Sequence, residues 1–329
     1  MNNEIQNDFG KIGGTTVSAI VGQNPWETAH SAYLKLRHEV PPTPDNPAME
    51  RGRRFEPIVA DIFAGCHPEF RVAHNRQGTD EPELYTHEEF PYLIGHPDRL
   101  LYSAAKDELV EGLEIKTSNW ANVKSWGAEG TDAIPTNYLI QCQWYAGLAN
   151  LPEWRVAVAF FGDGNDMKTY KEFVVHADKE LFETLVSRAV EFWEVHVLPG
   201  IPPEIEEIDD TTKRWITDRF PRNIEPLATA SFDEEEIMRE FIDRKAALEA
   251  AQKEYDAIET RLKLAIGDRD GLTSSLYGKA TWRRSKDSTR VDYHGICDEL
   301  HPSQDLIQKY TKQVAGTRRF LANLTIKEN

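Results

Sequence analysis

Asp98, Glu114 and Lys116 are the residues of this chain whose types and spacing suggest chemistry; they stand in the segments Gly95-His-Pro-Asp98 and Leu113-Glu-Ile-Lys116. Charged and apolar residues alternate in the second segment. An extended strand there directs Glu114 and Lys116 to one face and Leu113 and Ile115 to the other. Asp98 follows a His-Pro turn after an apolar run, and the loop 103–108 makes the two segments a β-hairpin. Two carboxylates and a lysine are the equipment for holding a hard divalent cation at a phosphodiester. Carboxylate oxygens suit Mg²⁺ or Mn²⁺, and an ammonium can offset charge developing on the phosphorus oxygens. Charged pairs in strands are more commonly solvated faces, so the surrounding elements decide the reading.

Upstream, Lys11 to Gly22 opens on a glycine turn and carries Thr15, Thr16 and Ser18 into a short apolar helix. Such a helix start suits an anion, although simple capping by a hydroxyl is the commoner use. Asn24-Pro-Trp-Glu leads into a helical run through Tyr33 and Leu36, and PPTPDNP reads as a loop. In Glu50 to Gly65, Phe55, Val59, Ile62 and Phe63 recur at helical spacing, behind a start rich in arginine that includes Arg51. Pro57 places the helix start close to Arg54, because proline is tolerated in a first turn; Glu56 is then either a first-turn acid favouring the helix dipole or a functional residue.

Downstream, Ile134 to Asn150 starts a helix at Pro135 and aligns Tyr138, Gln141, Tyr145 and Leu148 on one stripe, so Gln141 faces the body of the domain. Trp154 to Phe161 is almost continuously apolar, which predicts a central strand covered on both faces. A turn joins it to a strand over 168–176, and a long helix follows over 177–197. This alternation is an α/β pattern. Residues 1–200 form the expected core, 201–230 an acidic and proline-rich linker, and 231–329 a C-terminal arm. In the arm, Ile237, Phe241, Leu248, Tyr255, Ile258 and Leu262 step in a near-heptad, predicting a helical hairpin or coiled coil that either self-associates or packs as a plain amphipathic helix. A short hairpin and a closing helix follow. Lys279, Arg283, Arg284, Lys286, Arg290, Arg318 and Arg319 gather there as a solvated or DNA-facing basic group.

A net charge of -17 argues against a general nucleic-acid coat but leaves room for an enzyme whose basic residues line one channel. The three cysteines, Cys66, Cys142 and Cys297, stand apart, which excludes a disulfide framework or a zinc ribbon of CxxC pairs. No apolar run is long enough to span a membrane. The opening residues have neither a basic nor an apolar leader region, so a cytoplasmic location is expected. Gly271 to Lys279 fails as a phosphate loop because Ala280 stands where a serine or threonine would coordinate magnesium, and neither GxSxG nor HExxH occurs.

Taken in order, KIGGTTVS, RGRRFEP, GHPD, LEIK and PTNYLIQCQWY resemble the phage lambda-type exonuclease family, also called YqaJ viral recombinases, within the PD-(D/E)xK nuclease superfamily. The resemblance covers roughly residues 9 to 200. It implies a restriction-endonuclease-like α/β core, a central mixed sheet flanked by helices. It makes Asp98 and Glu114 metal-binding carboxylates with the Ile115 carbonyl completing the shell, Lys116 the catalytic lysine, and Glu56 and Gln141 helix residues of the same site. Lys11, Ser18, Arg51, His96 and Thr117 become phosphate or DNA contacts; Lys11 stands where the best-known member has arginine, and His96 where it has serine. The resemblance further implies a Mg²⁺- or Mn²⁺-dependent 5′-to-3′ exonuclease acting on double-stranded DNA ends, a homo-oligomeric ring, often a trimer, and a single-strand annealing protein as partner. Competing expectations are an endonuclease of the same superfamily, a Cas4-like nuclease, which the lack of a fourth cysteine for an iron-sulfur cluster disfavours, and a non-catalytic DNA-binding or assembly module.

Overall fold

A computed structural model describes residues 9–74, 83–162, 166–205, 207–222, 227–285, 289 and 291–312. The chain divides into two compact units, residues 1–219 and 220–329.

The first unit is built on a five-stranded mixed sheet in the order β1 (Phe70–Ala73), β4 (Arg99–Ser103), β5 (Leu109–Asn119), β6 (Glu153–Phe161) and β7 (Met167–His176). The hairpin expected to carry the site is present, with β4 antiparallel to β5 and Arg99 opposite Leu113. β5 runs parallel to β6, and β6 antiparallel to β7. A parallel pair needs a crossover, which is supplied here by a 3₁₀ turn (Trp120–Ser125) and the helix α4 (Thr136–Ala149). A two-stranded ribbon, β2 (Tyr85–Thr86) with β3 (Ile94–Gly95), leads into the Asp98 turn. This is the α/β architecture expected from the sequence.

The strand parity divides the core. Trp154, Val156, Val158 and Phe160 of β6 pack with the α4 side, together with Trp144 and Tyr145 and with Leu185 and Ala189 of α5 (Lys179–Phe192). Ala157, Ala159 and Phe161 pack on the opposite face with Val59, Ala60 and Phe63 of α3 (Pro47–Cys66). Both faces of β6 are therefore covered, as its unbroken apolar run requires. In β5, Leu113 and Ile115 join the α3 face, which leaves Glu114 and Lys116 for the α4 face. Two short helices, α1 (Gly14–Ile20) and α2 (Ala29–Leu36), complete the N-terminal part.

Several expectations need correction. α3 begins at Pro47, not near Arg54, so Pro57 lies well inside the helix and Glu56 is not a first-turn acid. The side chain of Asn46 accepts hydrogen bonds from the Ala48 and Met49 amides, at 2.9 and 3.0 Å, and Pro47 occupies the first turn, where its missing amide costs nothing. The helix runs through Pro57 because the buried face formed by Val59, Ala60 and Phe63 outweighs the one hydrogen bond proline cannot make. PPTPDNP is thus partly the start of a helix. α1 is entered at Gly13 with no side-chain cap, so the threonines do not cap it. The helix expected over 177–197 is α5 followed by one π turn at Trp193–Val197. The interval 201–230 contains the helix α6 (Asp210–Arg219), whose buried Thr212 hydroxyl lies 3.3 Å from His30 Nδ1.

The second unit carries one continuous helix, α7 (Phe232–Ile266), in place of a helical hairpin. Ser231 and Glu234 form a capping box at its start, and Gly267, at φ 57°, ends it. Its apolar residues Ile237, Leu248, Tyr255 and Ile258 are exposed. The hairpin of β8 (Gly271–Ser274) and β9 (Gly278–Thr281) follows, then α8 (Tyr293–Leu300) and α9 (Gln304–Tyr310). Of the basic group, Arg283 pairs with Asp270 at 3.1 Å; Lys286, Arg290, Arg318 and Arg319 lie outside the described residues.

Gly112 is the tightest point of the β5–β6 contact, because a Cβ there would sit 2.3 Å from the buried Trp154 ring. Gly112→Ala should destabilise the protein by about 1–3 kcal/mol, the usual cost of overpacking a filled core. Urea unfolding followed by tryptophan fluorescence measures this, and an unchanged midpoint would show that the ring can move aside.

Candidate active site

The site grows from the edge where β4 begins and β5 continues past it. Arg99 pairs with Leu113, so beyond Leu113 the edge of β5 has no β4 partner and the preceding residue, Asp98, takes the place of one. The Ile115 amide donates to Asp98 Oδ2 at 2.7 Å. In a strand the amide and carbonyl of one residue face the same neighbour, so the Ile115 carbonyl is directed towards the Asp98 side as well. Asp98 is held by backbone geometry, and a buried carboxylate accepting an amide is fixed in orientation.

Glu114 lies on the other side of this edge and is 1% exposed. Its Oε1 accepts from Lys116 Nζ at 2.5 Å, while its Oε2 is buried without a hydrogen-bond partner. Burial, reinforced by the neighbouring Asp98 charge and opposed by Lys116, pushes the Glu114 carboxyl up to about 8. The same carboxylates outweigh desolvation at Lys116 and hold its ammonium above the usual lysine range. Burial also raises Asp98, against the opposing pull of Lys116 and the Ile115 amide.

Lys116 also donates to Gln141 Oε1 at 3.1 Å, and Gln141 Nε2 donates to the Tyr145 hydroxyl at 3.0 Å. Gln141 is thereby committed at both ends, oxygen to the lysine and nitrogen to the tyrosine. Gly14 makes this possible: a Cβ there would meet Gln141 Cγ at 2.9 Å, so only glycine lets α1 lie this close to α4. The Tyr138 ring closes the other side, its centroid 4.8 Å from Lys116 Nζ. The three-residue step of α4 brings Tyr138 and Gln141 to the lysine, and the four-residue step sets Tyr145 behind Gln141.

Glu56 reaches the same region from α3, but its Oε1 is occupied by Arg99 Nη1 at 2.8 Å. Arg99 is buried, and the same nitrogen lies 2.8 Å from His74 Nδ1 and 2.5 Å from the Asp98 carbonyl. Sequence reading missed Arg99, His74 and the roles of Tyr138 and Tyr145. An arginine set in the apolar run after Asp98 was the available signal, because a charge buried there must find a partner.

The expected phosphate contacts are dispersed. Thr117 faces α3, with the Cβ position of Gly52 3.7 Å from its Oγ1. The guanidinium of nearby Arg51 lies over the Phe161 ring at 5.8 Å, and its Nε is buried without a partner. His96 and Lys11 are exposed. Ser18 is 1% exposed, and its hydroxyl donates to the Thr15 carbonyl at 2.7 Å and accepts from Asn24 Nδ2 at 3.1 Å.

The donor set suits a hard divalent cation: a buried carboxylate oxygen without a partner, a second carboxylate beside it and a backbone carbonyl aimed the same way are oxygen ligands of the kind Mg²⁺ takes. Among the described residues no group of three or more His, Cys, Asp and Glu side chains is arranged around one point, so a cation here would have two carboxylates and a backbone carbonyl as its protein ligands.

A mixed sheet covered by helices on both faces, with an acid before one strand and Glu-x-Lys on the next, defines the restriction-endonuclease-like α/β class. Within it, residues 7–152 match the family model of the YqaJ-like viral recombinase domain, and the resemblance read from the ordered motifs is borne out. The chain is 24% identical over 302 residues to the protein YqaJ of Bacillus subtilis (strain 168), covering 91% of this chain and 88% of that one. Among solved structures it is similar to an alkaline exonuclease, LHK-Exo, from Laribacter hongkongensis, at 16% identity and TM-score 0.43 over 66% of this chain and 100% of that one. It is also similar to a phage-related exonuclease from Haemophilus somnus 129PT, at 15% identity and TM-score 0.40 over 58% and 96%.

The raised Glu114 carboxyl has a definite thermal signature. A folded-state value above the ordinary 4.5 stabilises the protein fully below 4.5, and that stability is lost as pH rises through about 8. In metal-free buffer the melting temperature should therefore fall progressively from about pH 5 to about pH 8 and level off above it, and Glu114→Gln, which is neutral throughout, should flatten the fall. Parallel curves for the two proteins would show that Glu114 ionises normally.

Proposed function

We propose that this protein is a metal-dependent 5′-to-3′ exonuclease that degrades one strand of linear double-stranded DNA and leaves 3′ single-stranded overhangs for recombination by strand annealing. The single observation that carries the reading is the buried Glu114, with one oxygen on Lys116 and the other without a partner beside Asp98. The match of residues 7–152 to the YqaJ-like viral recombinase domain supports it.

Asp98, Glu114 and the Ile115 carbonyl would hold Mg²⁺ or Mn²⁺, which when bound supplies Lewis-acid polarisation of the phosphate and a lowered pKa for the attacking water. Asp98 is presented in one orientation by the Ile115 amide. Without a bound cation, the carboxylates beside Lys116 hold its ammonium above the usual lysine range. As an ammonium, Lys116 would neutralise charge developing on the phosphorane or orient the water. Gln141 keeps the ammonium from swinging away, and Tyr145 keeps Gln141 from flipping. Glu56, tied to Arg99, adds negative charge that reinforces cation binding without an oxygen free of Arg99 at Oε1. Of the expected phosphate contacts, Lys11, His96 and Ser18 would receive the strand end, Ser18 by releasing the Thr15 carbonyl, whereas Arg51 and Thr117 lie on the α3 side of the sheet and would act only on DNA reaching that side. A homo-oligomeric ring, in its trimeric form, encloses the duplex and an annealing protein takes up the overhang; residues 231–329 serve assembly or partner docking.

Digestion of end-labelled linear duplex, with and without a 5′-phosphate, tests this. Wild type with Mg²⁺ should release nucleotides from the 5′-phosphorylated end and leave closed circular DNA intact. Lys116→Ala should lower the rate by about 10²–10³-fold or more, as expected for removal of a group that stabilises developing charge, and Asp98→Asn should fail at all Mg²⁺ concentrations. Equal behaviour of wild type and variants would reject the assignment, and cleavage of closed circles would replace it with an endonuclease.

A further inference from the structure

Trp26 is 66% exposed, although an indole is among the side chains that gain most from burial. Its ring is 6.0 Å from that of Tyr138, inclined at 41°, and Tyr138 is the residue whose ring lies 4.8 Å from Lys116 Nζ. On its other flank Tyr138 stacks on the buried Trp126, at 5.5 Å and 28°. The three aromatics form a ladder that starts in the core, passes beside the lysine and ends with an indole in solvent. A single ring separates Trp26 from Lys116.

The backbone that carries the indole is held. Asn24 Oδ1 accepts from the Trp26 amide at 2.9 Å, an Asx turn, while Asn24 Nδ2 donates to Ser18 Oγ at 3.1 Å and to the Thr15 carbonyl at 3.3 Å. Pro25 between them fixes the backbone. The loop is therefore bolted to α1, and the point from which the indole projects is set before any ligand arrives. An aromatic on an anchored backbone has only its two side-chain torsions to lose when something stacks on it.

We infer that Trp26 is a stacking platform for a nucleobase of the strand being cleaved, setting which nucleotide is presented to the Asp98–Glu114–Lys116 site. Every base has a π face, and such stacking tolerates any sequence, which suits an enzyme that must advance along DNA without regard to composition. Trp26 is a positioning residue: it binds the base and leaves the chemistry to the buried groups. The inference rests on the nuclease reading.

The test has a binding arm and a turnover arm, both on the full chain. A duplex carrying 2-aminopurine near its 5′ end is titrated with protein in EDTA; wild type should quench the fluorophore by stacking, and Trp26→Ala should bind without the quench, with Trp26→Phe restoring part of it. With Mg²⁺, Trp26→Ala should raise KM by about 5- to 100-fold, the range of base–aromatic stacking, with kcat within about threefold. An abasic nucleotide at the stacked position should raise KM for wild type by a similar factor and leave Trp26→Ala unaffected, because the two changes remove one contact. Unaltered KM and quenching in Trp26→Ala, or equal losses on intact and abasic DNA, would overturn the inference. A change in native mass in Trp26→Ala would also overturn it, assigning the indole to a contact between subunits. Absence of turnover in wild type speaks against the nuclease reading, whereas the quenching arm, needing no turnover, still decides on the stack.

Discussion

The structure depends on one uncomfortable burial. Glu114 is sealed between sheet and helix with one oxygen on Lys116 and the other on nothing. A core that merely sought stability would place a hydrophobic residue there, since replacing a buried ion pair by packed apolar groups is commonly neutral or favourable. The chain instead surrounds the pair with groups that fix it: Gln141 and Tyr138 from α4, Asp98 from the start of β4 and, through Arg99, Glu56 from α3. Retaining strain of this kind is what a binding site for a cation requires, because the ligand supplies the compensation that the protein leaves out.

The remaining architecture serves that edge. β5 is longer than its antiparallel partner, so its far end has unpaired backbone that Asp98 and, by direction, the Ile115 carbonyl use. The parallel β5–β6 pair brings α4 back across the sheet, which is why Gln141 arrives above Lys116. Gly14 lets α1 approach closely enough to lock α4, and the same short helix anchors Asn24 and with it Trp26. One packing contact thus connects the buried pair to the proposed stacking indole.

Much of this was legible in the sequence because strand parity is strict. A period of two dictates that Glu114 and Lys116 share a face while Leu113 and Ile115 share the other, and the structure places them so. The continuous apolar run of β6 and the Gln141 stripe of α4 were legible for the same reason: burial leaves a pattern. The start of α3 was misread because Pro57 was given more weight than Asn46-Pro47, although an asparagine cap followed by proline is itself a start signal. The Arg99–Glu56 pair joins residues far apart in the chain, and no local spacing marks a partnership made only by folding. Likewise, α6 has a charged, weakly apolar sequence, and it is tertiary contact at Thr212, not periodicity, that holds it.

The central claim is that Asp98 and Glu114 form one divalent-cation centre. Titration of the protein with Mn²⁺, followed by electron paramagnetic resonance of the free ion, tests it directly and without DNA. The predicted result is saturable binding in wild type that tightens as pH rises towards about 8, where the Glu114 proton no longer competes, and that is lost in both Asp98→Asn and Glu114→Gln. Binding that persists undiminished in either variant contradicts a metal centre at this edge.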